Sequence, residues 1–282
     1  MAEVWRALTQ IERDGKMRAS DEPFGHFSPN AVQRFLISLC KNSILKRGVF
    51  RGRMTRIILA LGKGKLDIKF RNCAYRIFGE NNLIEYGLLL NAAYNQSDID
   101  FLIEDAAIDA NFLDVGSNIG LYAQPLANHA PKGKTVAIDA NPLMQSRLDF
   151  NRAATGLNNL YLFPAAVSDK AGKARLEIRK DDVAIVRIAK DPVGDIPIRT
   201  IASIVKEAGL KTIHGLKIDI EGQEDKALVP FLRKSPKSLL PKRIVIEHPE
   251  AETDYPGCVA AFADLGYKLV GRSRNNSFYL RG

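Results

Sequence analysis

The chain has 282 residues, 46% hydrophobic and 26% charged, ordinary proportions for a globular protein able to bury a full core. Its one extreme is charge, a formal net +9 with a pI near 9.4. Three scattered cysteines (Cys40, Cys73, Cys258) form no C-x-x-C and do not cluster with the four histidines, which excludes a disulfide framework or a zinc site.

Residues 1–29 mix charges with glycine and proline, and lack the basic-then-apolar layout of a signal peptide. No apolar run approaches the ~20 residues of a membrane span, so a soluble, cytoplasmic protein is expected. A helix is predicted after Ser28 or Asn30, either of which suits an N-cap, with Val32, Phe35, Leu36, Leu39, Cys40 and Leu45 as one apolar stripe. A second helix covers Met54–Leu61 and stops at Gly62. Between residues 34 and 71, eleven Lys/Arg stand against one acid, Asp67. A solvated surface is the plainest reading, and docking on an anionic membrane surface or an acidic glycolipid is the next, which would make the protein peripheral to the membrane. No nucleic acid is expected, because no aromatic stacking platform accompanies the charge. Residues 1–65 therefore read as a basic helical N-terminal extension, and 66–282 as one α/β domain.

That domain opens with a hairpin, Leu66–Phe70 and Ala74–Phe78 across Arg71-Asn72-Cys73, followed by helices over Asn82–Ala93 and Asp98–Ala107. A short buried strand at Phe112 then runs into a glycine turn bracketed by Gly116 and Gly120. The helix behind it contains Pro125, which should kink it. Further strands are expected at Thr135–Asp139, Leu160–Val167, Ala174–Arg179, Val183–Ile188, Leu216–Ile220 and Arg243–Glu247, with helices at Ile201–Ala208 and about Glu224–Lys234. Only seven residues separate Tyr267–Val270 from Phe278–Leu280, too few for a parallel crossover, so the chain should close as an antiparallel hairpin. Asn275 and Asn276 can supply that turn's positive φ.

Chemistry gathers at the ends of these strands. The turn reads D-x-G-x-N-x-G, with Asn118 where a dinucleotide fingerprint needs a second close glycine. The helix N-terminus behind it suits a carboxylate. Asp139 lies some 20 residues on, where an acid can take a ribose diol. Asp169 follows the third strand, Asp219, Glu221 and Glu224 the fourth, and Glu247 the fifth. Acids at one rim repel a diphosphate but favour a cationic cofactor such as S-adenosylmethionine.

The runs FLDVGSNIGLY, VAIDANP, PAAVSD and LKIDIEGQE, in this order, resemble the FkbM-type S-adenosylmethionine-dependent methyltransferases over about residues 66–282. The resemblance implies a class I methyltransferase fold, Rossmann-like, with a mostly parallel seven-stranded sheet ending in an antiparallel hairpin. It implies O-methylation of a hydroxyl on a sugar, glycolipid or polyketide-like small molecule. It also implies cofactor contacts from Asp114, Gly116, Ser117, Asn118 and Gly120, from Asp139, Ala140 and Asn141, from Ser168 and Asp169, and from Asp219. For the chemistry, His248 ranks first as base, because an imidazole titrates near the working pH. Asp219 and Glu221, two apart and so on one face, stand near the reacting centre. No metal is expected; a divalent ion shared by Asp219, Glu221 and Glu247 is the rival mechanism. Two other readings stay open: an NAD- or nucleotide-sugar-dependent oxidoreductase on a similar fold, and a non-catalytic membrane- or glycan-binding protein. The acceptor's identity and the oligomeric state leave no signal in the sequence.

Overall fold

A computed structural model describes residues 22–80, 82–179, 182–190, 194–248 and 253–282. The chain groups into two compact units, Met1–Tyr94 with Pro142–Gly156 and Ile178–Val186, and Asn95–Asn141 with Leu157–Glu177 and Arg187–Gly282. The boundary at 65/66 read from the sequence falls inside the first unit.

In the first unit, α1 (Ala31–Lys41) starts at Asn30, whose side chain accepts from Gln33 N–H while the Gln33 side chain accepts from Asn30 N–H. A 3₁₀ turn (Ile44–Lys46) leads to α2 (Gly48–Ala60), six residues longer at its start than the sequence suggested. The expected apolar stripe of α1 is split. Cys40 is buried together with Gln33, whereas Val32, Phe35 and Leu39 face solvent. The reason is that Gln33 Nε2 spends its polarity on the Ile58 carbonyl, and so turns that edge of the helix inward.

Strands β1 (Leu66–Phe70) and β2 (Cys73–Ile77) form the expected hairpin, with Arg71 and Asn72 both at positive φ. Helix α3 (Leu83–Leu90) follows, and α6 (Pro142–Thr155) joins this unit. Two side chains of α6 finish the free edge of β2: Asn151 Oδ1 accepts from Arg76 N–H and Thr155 Oγ1 from Ala74 N–H. Two buried ion pairs brace the unit. Arg76 meets Asp67 at 2.7 Å between the rings of Phe27 and Phe150, and Arg147 meets Glu85 at 2.9 Å.

The second unit holds α4 (Gln96–Ile103), β3 (Phe112–Val115), α5 (Ala123–His129), β4 (Thr135–Asp139), β5 (Leu160–Pro164), β6 (Ala166–Val167), the start of β7 (Gly172–Arg179), the end of β8 (Asp182–Lys190), β9 (Ile196–Arg199), α7 (Ile201–Glu207), β10 (Gly215–Ile218), α8 (Glu224–Lys234), β11 (Arg243–Glu247), α9 (Pro256–Asp264), β12 (Tyr267–Arg272) and β13 (Asn276–Arg281). Seven strands make one sheet in the order β12-β13-β11-β10-β3-β4-β5. Every pairing is parallel except those of β13, which slots between β12 and β11 and runs against both. This is the class I methyltransferase sheet. The inner strands are apolar runs buried on both faces, as parallel strands are. On one face Leu113, Val136, Leu216 and Ile244 belong to a core shared with Ile204, Leu228, Phe231 and Phe262 of the helices.

Three local expectations change. The strand expected over Leu160–Val167 is two strands: β5 ends at Pro164, and Ala166–Val167 pairs with β9 in a second, smaller sheet. Pro125 causes no lost bond, because α5 begins at Ala123 and its third residue has no N–H partner within the helix. The terminal hairpin turns through Ser273, Arg274 and Asn275 without any positive φ, and Asn276 already lies in β13. No described helix is long and apolar enough to cross a membrane.

Candidate active site

Strand order reverses between β3 and β4 on one side and β10 and β11 on the other, so a crevice opens at their carboxyl ends. The loop after β3 folds tightly against the end of β10. Gly116 has φ +85°, and a Cβ there would stand 1.8 Å from the Asp219 carbonyl oxygen. Glycine is needed at 116 by this backbone contact, before any ligand is considered. Asn118 also takes a positive φ, and its N–H donates to Asp139 Oδ2 at 2.7 Å.

The loop and sheet carry a row of acids. Asp114 is fully buried; its Oδ2 accepts from Ala123 N–H at 2.9 Å and its Oδ1 has no partner. Burial pushes its carboxyl up to about 7, opposed by Lys217 and reinforced by Asp139 and Asp219. Asp139 accepts from both Asn118 and Asn141 N–H, and burial raises it to about 6, with Asp219 adding to the rise. Lys217 lies opposite Asp114 in the register of β10 and β3 and is equally buried. Its Nζ donates to the Ile218 carbonyl, stands 3.4 Å from Asp219 Oδ2, and faces the Tyr122 ring.

Beyond Lys217 the acids converge. One carboxylate oxygen from each of Asp219, Glu224 and Glu247 lies within 4.8 Å of the other two. Burial and then the charge of Asp219, to which it is hydrogen-bonded, push Glu247 up to about 9. This direction favours the protonated form of Glu247 beside Asp219. Glu224 receives the Ile220 N–H and interacts with the Tyr255 hydroxyl, whose titration burial raises. Asn276 stands opposite Glu247 in the register of β13, and its Nδ2 donates to buried Asp98. Asp98 also accepts from the Tyr122 hydroxyl, which in turn accepts from Asn95.

The sequence-named residues fall into groups. Asp114, Gly116, Ser117, Asn118, Gly120, Asp139 and Asn141 lie on the β3 loop and the end of β4. Ser117 is buried with its hydroxyl unpartnered. Ala140 packs against the small sheet beside Ala166 and Ile198. Ser168 follows β6 and donates to Asp169, which is exposed. Glu221 is exposed at φ +55° and stays out of the carboxylate cluster, where Glu224 stands instead. His248 follows β11 directly, and its N–H donates to the Asn275 carbonyl. The helix N-terminus offered to a carboxylate is largely used within the chain, since Ala123 N–H goes to Asp114 and Gln124 N–H to the Gly120 carbonyl.

Sequence reasoning passed over Lys217, Tyr122, Asp98 and Asn276. For Lys217 a signal existed, a lone charge inside an apolar strand, since lysine is almost never buried unpaired. Asp98 and Asn276 are joined only by the fold, 178 residues apart.

A family model described as the methyltransferase FkbM domain matches residues 114–269. The chain belongs to the FkbM methyltransferase family. The matched span of this FkbM chain runs from Asp114 into β12 and so includes every carboxylate of the crevice. No curated protein sequence matches the chain. Among solved structures it is similar to the methyltransferase domain of METTL16, at 10% identity and TM-score 0.45, covering 84% of this chain and 80% of that one. It is also similar to M. jannaschii TYW2 in complex with AdoMet, at 13% identity and TM-score 0.41, covering 78% and 87%. M. capricolum TrmK in complex with S-adenosyl-homocysteine stands at 10% identity and TM-score 0.40, covering 65% and 66%.

The donor set fits S-adenosylmethionine. The charges of Asp139 and Asp219 raise Asp114, and that of Asp219 raises Asp139, making a negative crevice whose unpartnered buried oxygens include those of Asp114 and Ser117. Such a site suits a sulfonium and an ammonium and repels a dinucleotide's diphosphate.

Proposed function

We propose that this enzyme methylates a hydroxyl oxygen of a sugar, glycolipid or polyketide-like small molecule, with the Asp219–Glu247 pair receiving the hydroxyl proton. S-adenosylmethionine, when bound, supplies an electrophilic methyl on sulfur. Asp139 would hold the ribose hydroxyls, and Asp219 would meet the cofactor's positive charge. The observation that carries the reading is the convergence of Glu247 and Asp219 in a half-buried cluster, where the charge of Asp219 favours a proton on Glu247. The charge of Asp219 is what helps hold that proton on Glu247, so a cation against Asp219 lowers the Glu247 carboxyl toward neutrality. Glu247 then becomes an ionised base where a hydroxyl must lose its proton. Geometry supports it over His248, the base ranked first from the sequence, because a Glu247 oxygen lies within 4.8 Å of those of Asp219 and Glu224.

The test is transfer of a labelled methyl from S-adenosylmethionine to a panel of sugars, glycolipids and polyketide-like alcohols, with RNA alongside. Label should appear as an alkali-stable ether. Glu247→Gln should lower kcat by about 10²–10⁴ and leave S-adenosylhomocysteine affinity within about threefold. His248→Ala should keep most of its rate. A full-rate Glu247→Gln with an inactive His248→Ala would return the base to His248, and label found only in RNA or on nitrogen would overturn O-methylation. Loss of rate in EDTA, restored by magnesium, would replace the proton on Glu247 with a divalent ion held by Asp219, Glu224 and Glu247.

A further inference from the structure

The first unit exposes apolar side chains where its charge is most positive. Among the described residues, eight of the fourteen large apolar side chains facing solvent lie within residues 32–61. Val49 is 88% exposed, Phe35 65%, Ile44 62% and Val32 56%, so more than half of each residue's surface is left to solvent. Helical spacing organises them. On α1, Val32, Phe35 and Leu39 recur at i, i+3 and i+7, beside the inward edge of Gln33 and Cys40. On α2, Val49, Arg53, Arg56 and Ile57 share one exposed face, opposite buried Thr55, Ile58 and Leu59. The two helices run antiparallel, because Gln33 Nε2 donates to the Ile58 carbonyl and Asn30 Nδ2 to that of Leu61. Val32 therefore lies level with Ile57 and Leu61, which are also exposed.

The charge on this stretch is of one sign. Its single acid, Asp67, is buried and bound by Arg76, so it offers nothing to solvent. Lys46, Arg47, Arg53 and Arg56 are exposed around the turn and along α2. An apolar face edged by arginine and lysine and lacking exposed acid matches the interface of an anionic bilayer, where rings and aliphatic chains enter the acyl boundary and cations meet headgroup phosphates. A nucleic acid would need the cations but not the bare Val49 and Phe35.

We propose that α1, the 3₁₀ turn and α2 dock this protein on the surface of an anionic lipid bilayer. Docking does not rest on the proposed methyl-transfer chemistry, although a glycolipid acceptor would be found on such a surface.

The experiment is co-sedimentation of the full chain with vesicles of phosphatidylcholine alone, or with about a third phosphatidylglycerol, at about 50 and 500 mM salt. Binding should require the anionic lipid and fall steeply with salt, because exposed charges are screened within ~10 Å at 0.1 M. Arg53→Glu with Arg56→Glu should lower partitioning by at least about 25-fold, since each cation near the surface contributes about fivefold. Phe35→Ser with Val49→Ser should lower it about tenfold at unchanged charge. Unchanged thermal unfolding and S-adenosylhomocysteine binding in each variant show that the fold is intact. Equal binding to neutral and anionic vesicles would overturn the proposal, as would no binding to either. So would a dimer in solution that Phe35→Ser and Val49→Ser abolish, or salt-sensitive binding to RNA in place of vesicles.

Discussion

Lys217 of β10 stands directly opposite Asp114 of β3 in a parallel register, and both side chains are withdrawn from solvent at the centre of the sheet. The pair joins the floor of the crevice to its chemistry. Lys217 restrains the rise of Asp114, touches Asp219 at 3.4 Å and faces the Tyr122 ring. Removing the cation should therefore matter most when Asp114 is ionised. Asp114 has a folded pKa near 7, above the ~3.9 of an unfolded aspartate, so it favours folding less as pH rises between those values. Lys217→Met raises the folded pKa further and extends that loss upward. Urea unfolding should show a small loss near pH 6 and a larger one near pH 8.5, up to about 3–5 kcal/mol. A loss that does not change with pH would mean that Lys217 acts through packing alone.

Asp139 gives the cofactor site its own pH dependence. Its carboxylate is held by two loop N–H groups, and burial raises it to about 6. The ionised form is the better acceptor for a ribose diol, so S-adenosylhomocysteine affinity should climb through about pH 6 and level off above it. Asp139→Asn should bind about ten- to a hundredfold more weakly at pH 7.5, the loss of roughly 1.5–3 kcal/mol of charge-assisted bonding. Calorimetry across pH 5–8 checks both points, and an unchanged slope in the mutant would remove Asp139 from the ribose.

The loop after β3 depends on Gly116 for contact, not for ligand room. At φ +85° an added Cβ meets the Asp219 carbonyl at 1.8 Å, and neither backbone can yield without moving the acid. Gly116→Ala should destabilise the fold by at least about 1–3 kcal/mol and weaken S-adenosylhomocysteine binding in the same protein. Normal stability together with lost binding would argue that the glycine serves only the cofactor.

What the sequence determined was local. Apolar runs of four or five residues, each ending in an acid, were enough to mark β3, β4, β10 and β11 and the rim they share. Seven residues between the last two strands were enough to exclude a parallel crossover. Helix faces were less legible: the α1 residues read as one apolar stripe, of which Cys40 is buried while Val32, Phe35 and Leu39 are exposed, because periodicity reports a face without saying what covers it. Only the tertiary structure decided which acids meet. Asp219, Glu224 and Glu247 come together because parallel register aligns the ends of β10 and β11 while α8 starts beneath them. Glu221, nearer in sequence, is turned outward by a left-handed backbone. The same register set Lys217 against Asp114 and Asn276 beside Glu247, contacts between residues 103 and 29 positions apart that no local pattern encodes. Side-chain chemistry is written one residue at a time, whereas a carboxylate cluster or a buried ion pair exists only once the sheet has fixed its partners.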